Sequence, residues 1–312
     1  MSLRVTQTMM SAQLLRNVSN NLGRMNTLQD QLSSGKRINA PSDDPVGMTF
    51  SMRYRSELAS NEQYVKNADT AASSLEFTDT ALDQAVNVLQ RTRELMVQGA
   101  TGAMPQTAYD AIQKEIGELY NQLIEIGNSK FNGKYMFNGE ETETPPYPKV
   151  SSDSAVTPKA QHVGTDPGKI NYELSPAMTM SVNLTGNEIF GEPVTDDSDV
   201  DSDNVFHVLS RVVEALGNGQ NEQVSELLGK IDTRMNAMLE QRAEVGARMN
   251  RVAMISGRLE EMGINLTSIQ SKTEDADLAE VITNLKVNEN IYQASLSAGA
   301  KIIMPSLVDF LR

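Results

Sequence analysis

The chain has 312 residues, enough for two or three domains, because one domain usually takes about 100 to 200 residues. Its 27 Lys and Arg against 41 Asp and Glu give a formal net charge of -14, which disfavours binding to nucleic acid or to an anionic membrane surface. The absence of Cys excludes disulfides, thiolate metal sites and cysteine nucleophiles. No apolar run approaches the roughly 20 residues of a transmembrane helix. The first residues lack the apolar stretch of a cleaved signal peptide, so none is expected.

The first segment has the spacing of a helix that pairs with another helix. Its apolar residues Leu15, Val18, Leu22, Met25 and Leu32 follow alternating spacings of three and four, with the polar Gln29 at the one remaining place. Gly35 suits the left-handed position after a helix end, and residues 39–45 predict a turn. Asp44 is a natural N-cap because Pro45, at the next position, has no N–H to lose. A second helix is therefore predicted to begin at Pro45.

Two further helices are predicted before the middle of the chain. The second helix is expected to run to about Gln98, because Leu75, Leu82, Leu89 and Met96 recur at seven-residue intervals. A third is expected from Pro105 to about Asn128, with one apolar face. That face consists of Ile112, Ile116, Leu119, Leu123 and Ile126.

The middle of the chain has β character. Lys134–Phe137 has strand composition, and Asn138-Gly139 predicts a type I′ hairpin turn. The following segment contains seven of the 11 prolines, a density that long helices do not tolerate. Residues 170–174 and 178–184 alternate with a period of two, as strands do. Residues 140–203 are therefore predicted to form a small β domain inserted between helices.

Helical periodicity returns near Asn204 and continues to the end of the chain. A long seam runs from Ile231 to Leu266, and the last segment repeats the pattern with Leu278, Ile282, Leu285, Tyr292, Leu296 and Ile303. A lone helix with a narrow apolar seam is marginal in water, so the N-terminal and C-terminal helices are expected to pair.

The predicted fold class is mainly α: an elongated helical bundle with paired N- and C-terminal coiled-coil helices and the small inserted β domain. The expected division is a terminal domain of 1–38 and 275–312, a central bundle with a β-hairpin of 39–139 and 204–274, and the insert.

Short strings that resemble catalytic or metal-binding motifs are incomplete. Ser33 and Lys36 form an S-x-x-K string and residues 202–204 an S-D-N string, but the third element of a penicillin-interacting enzyme is missing. The alternate carboxylates of Asp197, Asp199, Asp201 and Asp203 lack the Gly and Glu of a calcium loop, so a solvated acidic linker that caps the next helix is favoured. Asp43 and Asp44 are expected to serve a turn and a cap, and His207 to be a packed or half-exposed helix residue. The chain is predicted to be neither an enzyme nor a cofactor or metal protein.

The two ends of the chain resemble the flagellin family. Residues 32–39, Asp43-Asp44 and residues 91–98 are similar to its N-terminal domain, and residues 242–247 and 274–277 to its C-terminal domain. Other strings resemble the hook-associated protein 3 branch, which forms the hook–filament junction. These strings are residues 37–47, 53–56, 130–139 and 305–311.

The resemblance implies a structural subunit that assembles through its terminal helices. The implied partners are hook-associated protein 1, flagellin, further copies of the chain in a ring and an export chaperone, outside the cell and without a cleaved signal peptide. The residues expected at the assembly interface are Leu15, Val18, Leu22, Met25, Leu32, Leu278, Ile282, Leu285, Tyr292, Leu296, Ile303 and Phe310. The alternatives are a filament-forming flagellin and an unrelated coiled-coil scaffold.

Overall fold

The computed structural model describes residues 7–101, 104–148, 159–196 and 199–303. Over these residues the fold is mainly helical, with α1 Gln7–Ser34, α2 Pro45–Ala100, α3 Gln106–Gly127, α4 Gly186–Phe190, α5 Val205–Gly217, α6 Asn221–Glu274 and α7 Leu278–Ile303. Two small antiparallel sheets pair β1 Lys130–Phe131 with β2 Lys134–Tyr135, and β3 Asn171–Ser175 with β4 Met178–Ser181. The predicted class, mainly α with a small β insert, is confirmed. Over the described ranges, no helix combines the length and apolarity needed to cross a membrane.

The chain divides into two compact units. The terminal unit consists of Met1–Ser60 and Glu261–Arg312, and the central unit of Asn61–Glu260. Both boundaries fall inside long helices, since α2 and α6 each continue from one unit into the other. The turns that follow α1 and α6 lie within the terminal unit rather than at its edge. The three-part division at residues 38, 139, 203 and 274 stays a prediction.

The core of the central unit follows the predicted seven-residue repeat. The repeat residues of α2, which are Leu75, Leu82, Leu89 and Met96, are at most 1% exposed. In α6, Ile231, Met238, Val245 and Val252 are equally buried. Ion pairs from Arg242 to Asp79 and Asp83, at 2.8 and 2.6 Å, join the same two helices. Because these pairs are partly exposed, we assign most of the helix association to the apolar repeat.

The β-hairpin turns at a different position from the predicted one. Asn132 and Gly133 have φ values of 54° and 82°, the left-handed pair that a type I′ turn requires, and they connect β1 to β2. The prediction of a hairpin turn at Asn138-Gly139 is wrong, although these residues do form a turn that is closed by the Glu141 amide donating to the Asn138 carbonyl oxygen at 3.0 Å. The Asn138 side chain is buried and donates hydrogen bonds to the carbonyl oxygens of Glu141 and Thr144, both at 3.2 Å. The Asn138 side chain therefore stabilises the loop from Asn138 to Thr144.

The insert is held by one strand pair and an aromatic cluster. Strands β3 and β4 lie where the alternating pattern predicted them, and α4 begins with a capping box between Thr185 and Glu188. The rings of Tyr147 and Phe190 contact that of Phe206 in α5, with centroids 4.8 and 5.3 Å apart. Aromatic residues make up only 5% of the chain, but these three pack together and supply the apolar interior of the insert.

The described residues just before α5, from Asp199 to Asn204, make several polar contacts. The N-cap of α5 is the Asn204 side chain, which accepts a hydrogen bond from the His207 amide, rather than one of the acidic residues that the linker hypothesis expected. His207 is buried, and its Nε2 lies 2.8 Å from the Asp199 carbonyl oxygen. Asp203 forms an ion pair with Arg234 of α6. Among the residues that the structure describes, no three His or acidic side chains are grouped as metal ligands; Asp197 lies outside them.

We expect Leu82→Ala to lower the free energy of unfolding by about 2 to 5 kcal/mol, because it leaves a cavity in a fully packed helix interface. Urea denaturation followed by circular dichroism measures this change. The control is Val97→Ala in the same helix, where the side chain is 44% exposed and a change within about 0.5 kcal/mol is expected. Equal effects of the two substitutions would contradict the assignment of the core.

Candidate assembly site

In the terminal unit, α1 and α7 pack against each other in antiparallel orientation. Near the chain ends, Leu14 lies against Gly299 so closely that a Cβ atom on Gly299 would be 2.6 Å from Leu14 Cδ2. At the other end of the pair, Lys36 and Asp275 form an antiparallel β-bridge. The pairing of the terminal helices that the seams predicted is therefore present, and the absence of a side chain at Gly299 leaves room for Leu14.

The facing positions of the two helices repeat at three- and four-residue spacing. In α1 they are Leu14, Val18, Asn21, Met25 and Leu28, and in α7 they are Val281, Leu285, Asn288, Tyr292, Ser295 and Gly299, all buried or half-buried. Of the predicted interface residues, Val18, Met25, Leu285 and Tyr292 belong to this internal seam. Asn21 is buried within this seam. A buried Asn at a seam position helps to fix the register of a helix pair, and a search for apolar repeats does not detect it.

Most of the other predicted interface residues are exposed to solvent. Leu15, Leu22, Leu32, Leu278, Ile282 and Leu296 are exposed, between 37% and 66%. Ile303 is the last residue of α7, and Phe310 lies outside the described residues. The apolar residues that the sequence grouped into one seam thus divide between an internal stripe and an exposed side. Leu32 is the exception, since it lies two turns after Met25 and continues the internal stripe at 37% exposure. The role of these residues in assembly stays a prediction.

The connections that follow α1 and α6 bind each other through their backbones. The amides of Arg37 and Ile38 donate to the Glu274 carbonyl oxygen at 2.7 and 3.4 Å, and the Ala276 amide donates to the Gly35 carbonyl oxygen at 3.0 Å. Gly35 has a φ of 71°, which confirms the left-handed position expected after α1. Two of the strings that resemble flagellins, residues 32–39 and 274–277, therefore form one joint.

The side chain of Glu274 is the centre of this joint. Its carboxylate is 2% exposed and forms ion pairs with Lys36 and with Arg55 of α2. It also accepts hydrogen bonds from Ser51 Oγ at 2.5 Å and from Gln270 Nε2 at 3.4 Å. One carboxylate thus connects α6 to the start of α2 and to the turn that follows α1, and a buried charge is tolerated only because it is paired.

The surroundings of Glu274 keep its carboxylate ionised. Burial by itself raises the pKa of the carboxyl group, but the hydrogen bonds from Arg55, Lys36, Ser51 and Gln270 outweigh burial and lower the pKa from 4.5 to about 2. A shift of this size corresponds to about 3 kcal/mol in favour of the folded state when the group is charged.

The neighbouring acidic residues serve the backbone, as predicted. Asp43 Oδ2 accepts hydrogen bonds from the amides of Asn39 and Ala40 at 3.0 and 2.8 Å, and Asp44 Oδ1 accepts one from the Gly47 amide at 2.9 Å. The S-x-x-K string has a structural use, because Lys36 pairs with Glu274 and Ser33 is exposed.

Sequence reasoning did not assign a role to Glu274, Ser51 or Arg55. Glu274 and Arg55 were noticed only as parts of family strings. The available signal was an acidic residue at the end of a helix next to a turn, together with basic residues in the Lys36–Arg37 turn. Sequence alone does not bring positions more than 200 residues apart together, so the ion pairs required the fold.

The fold and the joint define a helical structural subunit with two sequence-distant ends that form one unit. Residues 5–142 match the bacterial flagellin N-terminal helical region, and residues 228–311 match the bacterial flagellin C-terminal helical region. The chain belongs to the flagellin family. Family members are structural proteins of the bacterial flagellum, so the alternative of an unrelated coiled-coil scaffold is excluded.

Relatives from two branches of this family cover nearly the whole chain. A flagellin of Bacillus subtilis is 28% identical over 94% of each chain. The flagellar hook-associated protein 3 of Escherichia coli is 24% identical over 95% of this chain and 96% of that protein. A solved structure from Vibrio parahaemolyticus, described as a flagellar hook-associated protein, is 20% identical and has a TM-score of 0.64, covering 75% of this chain and 100% of that one.

We expect Glu274→Gln to loosen the joint, because it removes the charge that pairs Lys36 and Arg55 while leaving the backbone hydrogen bonds possible. The amides of Arg37, Ile38 and Ala276 report on the joint directly, and their hydrogen exchange should accelerate by about 100-fold at neutral pH. Glu261→Gln, in the same helix but exposed, is the control and should leave these amides unchanged.

The joint should also weaken in acid. Because the folded pKa of Glu274 is depressed, its contribution is complete above a pH of about 4.5 and is lost as the pH falls towards about 2. Protection of the same three amides, corrected for intrinsic exchange, should fall over this range in the wild type. Glu274→Gln should show a smaller loss, and an equal loss in both proteins would contradict the assignment.

Proposed function

We propose that this chain is the subunit that joins the flagellar hook to the filament as a junction layer. Its likeness to hook-associated protein 3 over nearly the full length of both proteins supports this role. The strings at residues 37–47 and 53–56 resemble the same branch. The first contains Arg37, whose amide donates to the Glu274 carbonyl oxygen, and the second contains Arg55, which pairs with the Glu274 carboxylate. The residues typical of the branch thus include contacts of the joint.

The observation that carries the assembly role is the exposed apolar face of the terminal helix pair. Leu15, Ile282 and Leu296 are large apolar side chains at 66%, 47% and 48% exposure, on helices whose facing seam is already filled. Exposed apolar rows of this kind mark surfaces for other proteins. We expect further copies in a ring to contact this face, with hook-associated protein 1 on one side of the layer and flagellin on the other.

The proposed location is outside the cell, as part of the flagellum, after export without a cleaved signal peptide. An export chaperone that covers the apolar terminal helices before assembly would fit the same exposed face. The proposed role is mechanical and structural, so we expect no catalytic activity.

A filament-forming flagellin is the second candidate, since the flagellin of Bacillus subtilis is also similar over nearly the whole chain. The two roles differ in the extent of growth. A junction subunit adds a limited layer to hooks that carry the preceding junction protein, whereas a flagellin extends filament seeds without limit.

To test the role, purified protein is mixed with such hooks and, separately, with short filament seeds, and the products are measured by sedimentation and negative-stain microscopy. We expect saturable capping of hooks and no long polymers. Unlimited growth on seeds would assign the chain to the filament flagellins. Binding to neither would reject both roles.

We expect removal of residues 275–312 to abolish capping but to leave the central unit folded, because the core of that unit lies within Asn61–Glu260. Circular dichroism and urea denaturation check the fold of the truncated chain. If the truncated chain still caps hooks, α7 is not required for assembly, and the proposed role of the terminal helix pair is contradicted.

A pair of point variants tests the exposed face without disturbing the helix pair. Leu296→Ser, in α7, should weaken hook capping by about tenfold, since it removes one large apolar contact. Leu239→Ser is the matched control, because it changes the same residue type at 44% exposure in the central unit. Equal loss, or no loss, in both variants would contradict the proposed face.

A further inference from the structure

The chain contains three Asn-Gly pairs in three different surroundings. They are Asn132-Gly133 in the β1–β2 turn, Asn138-Gly139 in the loop that follows β2, and Asn218-Gly219 at the end of α5. In the first two pairs Phe precedes the Asn, so both have the local sequence Phe-Asn-Gly. A difference in reactivity between these two pairs therefore comes from the fold.

An Asn-Gly pair can lose its side-chain amide without an enzyme. The backbone nitrogen of the Gly attacks Cγ of the Asn side chain, because a Gly without a side chain lets the two groups approach closely. The new C–N bond closes a succinimide ring, and the side-chain nitrogen leaves as ammonia with the proton from the Gly nitrogen. Water then opens the ring at either carbonyl and gives aspartate or isoaspartate, whose backbone is one methylene longer. The reaction needs a mobile Asn side chain and a free Gly amide.

Contacts hold the second pair away from this geometry. The Asn138 side chain is 6% exposed. Its Nδ2 donates to the carbonyl oxygens of Glu141 and Thr144, and its Oδ1 accepts a hydrogen bond from the Asp166 amide at 3.3 Å. Gly139 is closely packed, since a Cβ atom there would overlap the Asp166 carbonyl oxygen. Reaction at Asn138 therefore requires several hydrogen bonds to break together.

The third pair is exposed but is held by the end of α5. The Asn218 amide donates to the Glu214 carbonyl oxygen at 3.0 Å, and the Gly219 amide donates to the Leu216 carbonyl oxygen at 3.3 Å. The nitrogen that would attack Asn218 is thus engaged in the C-terminal cap of a helix. It becomes free only when the last turn of α5 opens.

The first pair has neither restraint. Asn132 is exposed, and within the described ranges no hydrogen bond holds its side chain or the Gly133 amide. The space around Gly133 is open, because a Cβ atom there would meet no atom within 4 Å. The turn closes a ladder of only two residues in each strand, and such a short ladder opens more easily than a long one.

We propose that Asn132 is a modification site at which the folded protein loses the side-chain amide spontaneously, while Asn138 and Asn218 are preserved by their contacts. Water is the only co-reactant and ammonia is released, so the reaction requires no cofactor and no second protein. The inference is independent of the junction role, since it depends only on the hairpin, the loop after it and the end of α5.

The two products change the hairpin in different ways. Aspartate adds one negative charge to the turn and keeps the length of the backbone. Isoaspartate lengthens the backbone by one methylene, so it does not fit a two-residue type I′ turn. Phe131 of the same hairpin contacts Phe77 of α2, with ring centroids 5.7 Å apart. The isoaspartate product should therefore loosen the packing of the hairpin on α2.

Peptide mapping of the folded full chain tests the site. The protein is kept warm at mildly alkaline pH, and samples taken over time are digested with trypsin and analysed by mass spectrometry, with fresh protein as the zero-time value. Trypsin cleaves after Lys130 and Lys134, so Asn132 and Asn138 fall in different peptides. The rate at Asn132 should exceed the rates at the other two sites by about tenfold or more, since each of those must first lose hydrogen bonds. A rate at Asn132 no higher than at Asn138 or Asn218 would overturn the proposal.

The unfolded chain is the control for intrinsic reactivity. In guanidinium chloride the two Phe-Asn-Gly sites should react at nearly equal rates, which would show that the fold causes the difference. If Asn132 reacts in the unfolded chain but not in the folded one, the turn protects it and the proposal is wrong.

A variant without the Asn132 side chain provides a second measurement. Asn132→Gly retains a residue that accepts the positive φ of the turn, so the hairpin should still form. Anion-exchange chromatography of the incubated folded proteins should show a more acidic species that grows in the wild type and is missing from the variant. The same acidic species in both proteins would assign the reaction to another residue and overturn the proposal.

Discussion

The terminal unit depends on one buried carboxylate. Glu274 receives two cations and two neutral donors from three parts of the chain, namely the turn after α1, the start of α2 and the end of α6. Its backbone carbonyl oxygen accepts hydrogen bonds from two amides of the turn after α1. A carboxylate that is 2% exposed would destabilise the fold if it had no partners. The turn after α1, the start of α2 and the end of α6 are therefore stabilised in the arrangement that brings these partners to Glu274. The depressed pKa of Glu274 has the same origin, because the donors stabilise the ionised form more than burial disfavours it.

The joint gives a physical reason for the separation between internal and external apolar residues. Once α1 and α7 are held in antiparallel register by the Lys36–Asp275 bridge and by Gly299 against Leu14, only one stripe of each helix can face the other. The remaining apolar side chains are then exposed to solvent at positions set by the same register. In an isolated molecule this exposure is unfavourable, and in the proposed function association with other subunits would remove it. The terminal unit therefore has the surface of a protein that is completed by its neighbours.

The central unit has the opposite surface. The residues of its apolar repeat are buried in the core. Aromatic side chains pack between the insert and α5. The unit also carries the net negative charge of the chain. Such a surface favours solubility and opposes indiscriminate association. The flagellin fold of this chain thus combines one unit with many exposed apolar side chains and one unit with a buried core and a strong negative charge.

Much of the fold was determined by sequence periodicity. The seven-residue repeat of α2, the cap at Asp44, the left-handed Gly35 and the alternation of β3 and β4 are local or periodic features, and the structure contains them. The hairpin turn was misplaced because two Asn-Gly pairs lie six residues apart, and only the loop contacts of Asn138 decide between them. The break between α5 and α6, with Gly219 at a φ of 68°, was not foreseen. Tertiary structure alone decided which apolar residues of α1 and α7 face inward and which four groups meet at Glu274, because both depend on contacts between the two ends of the chain.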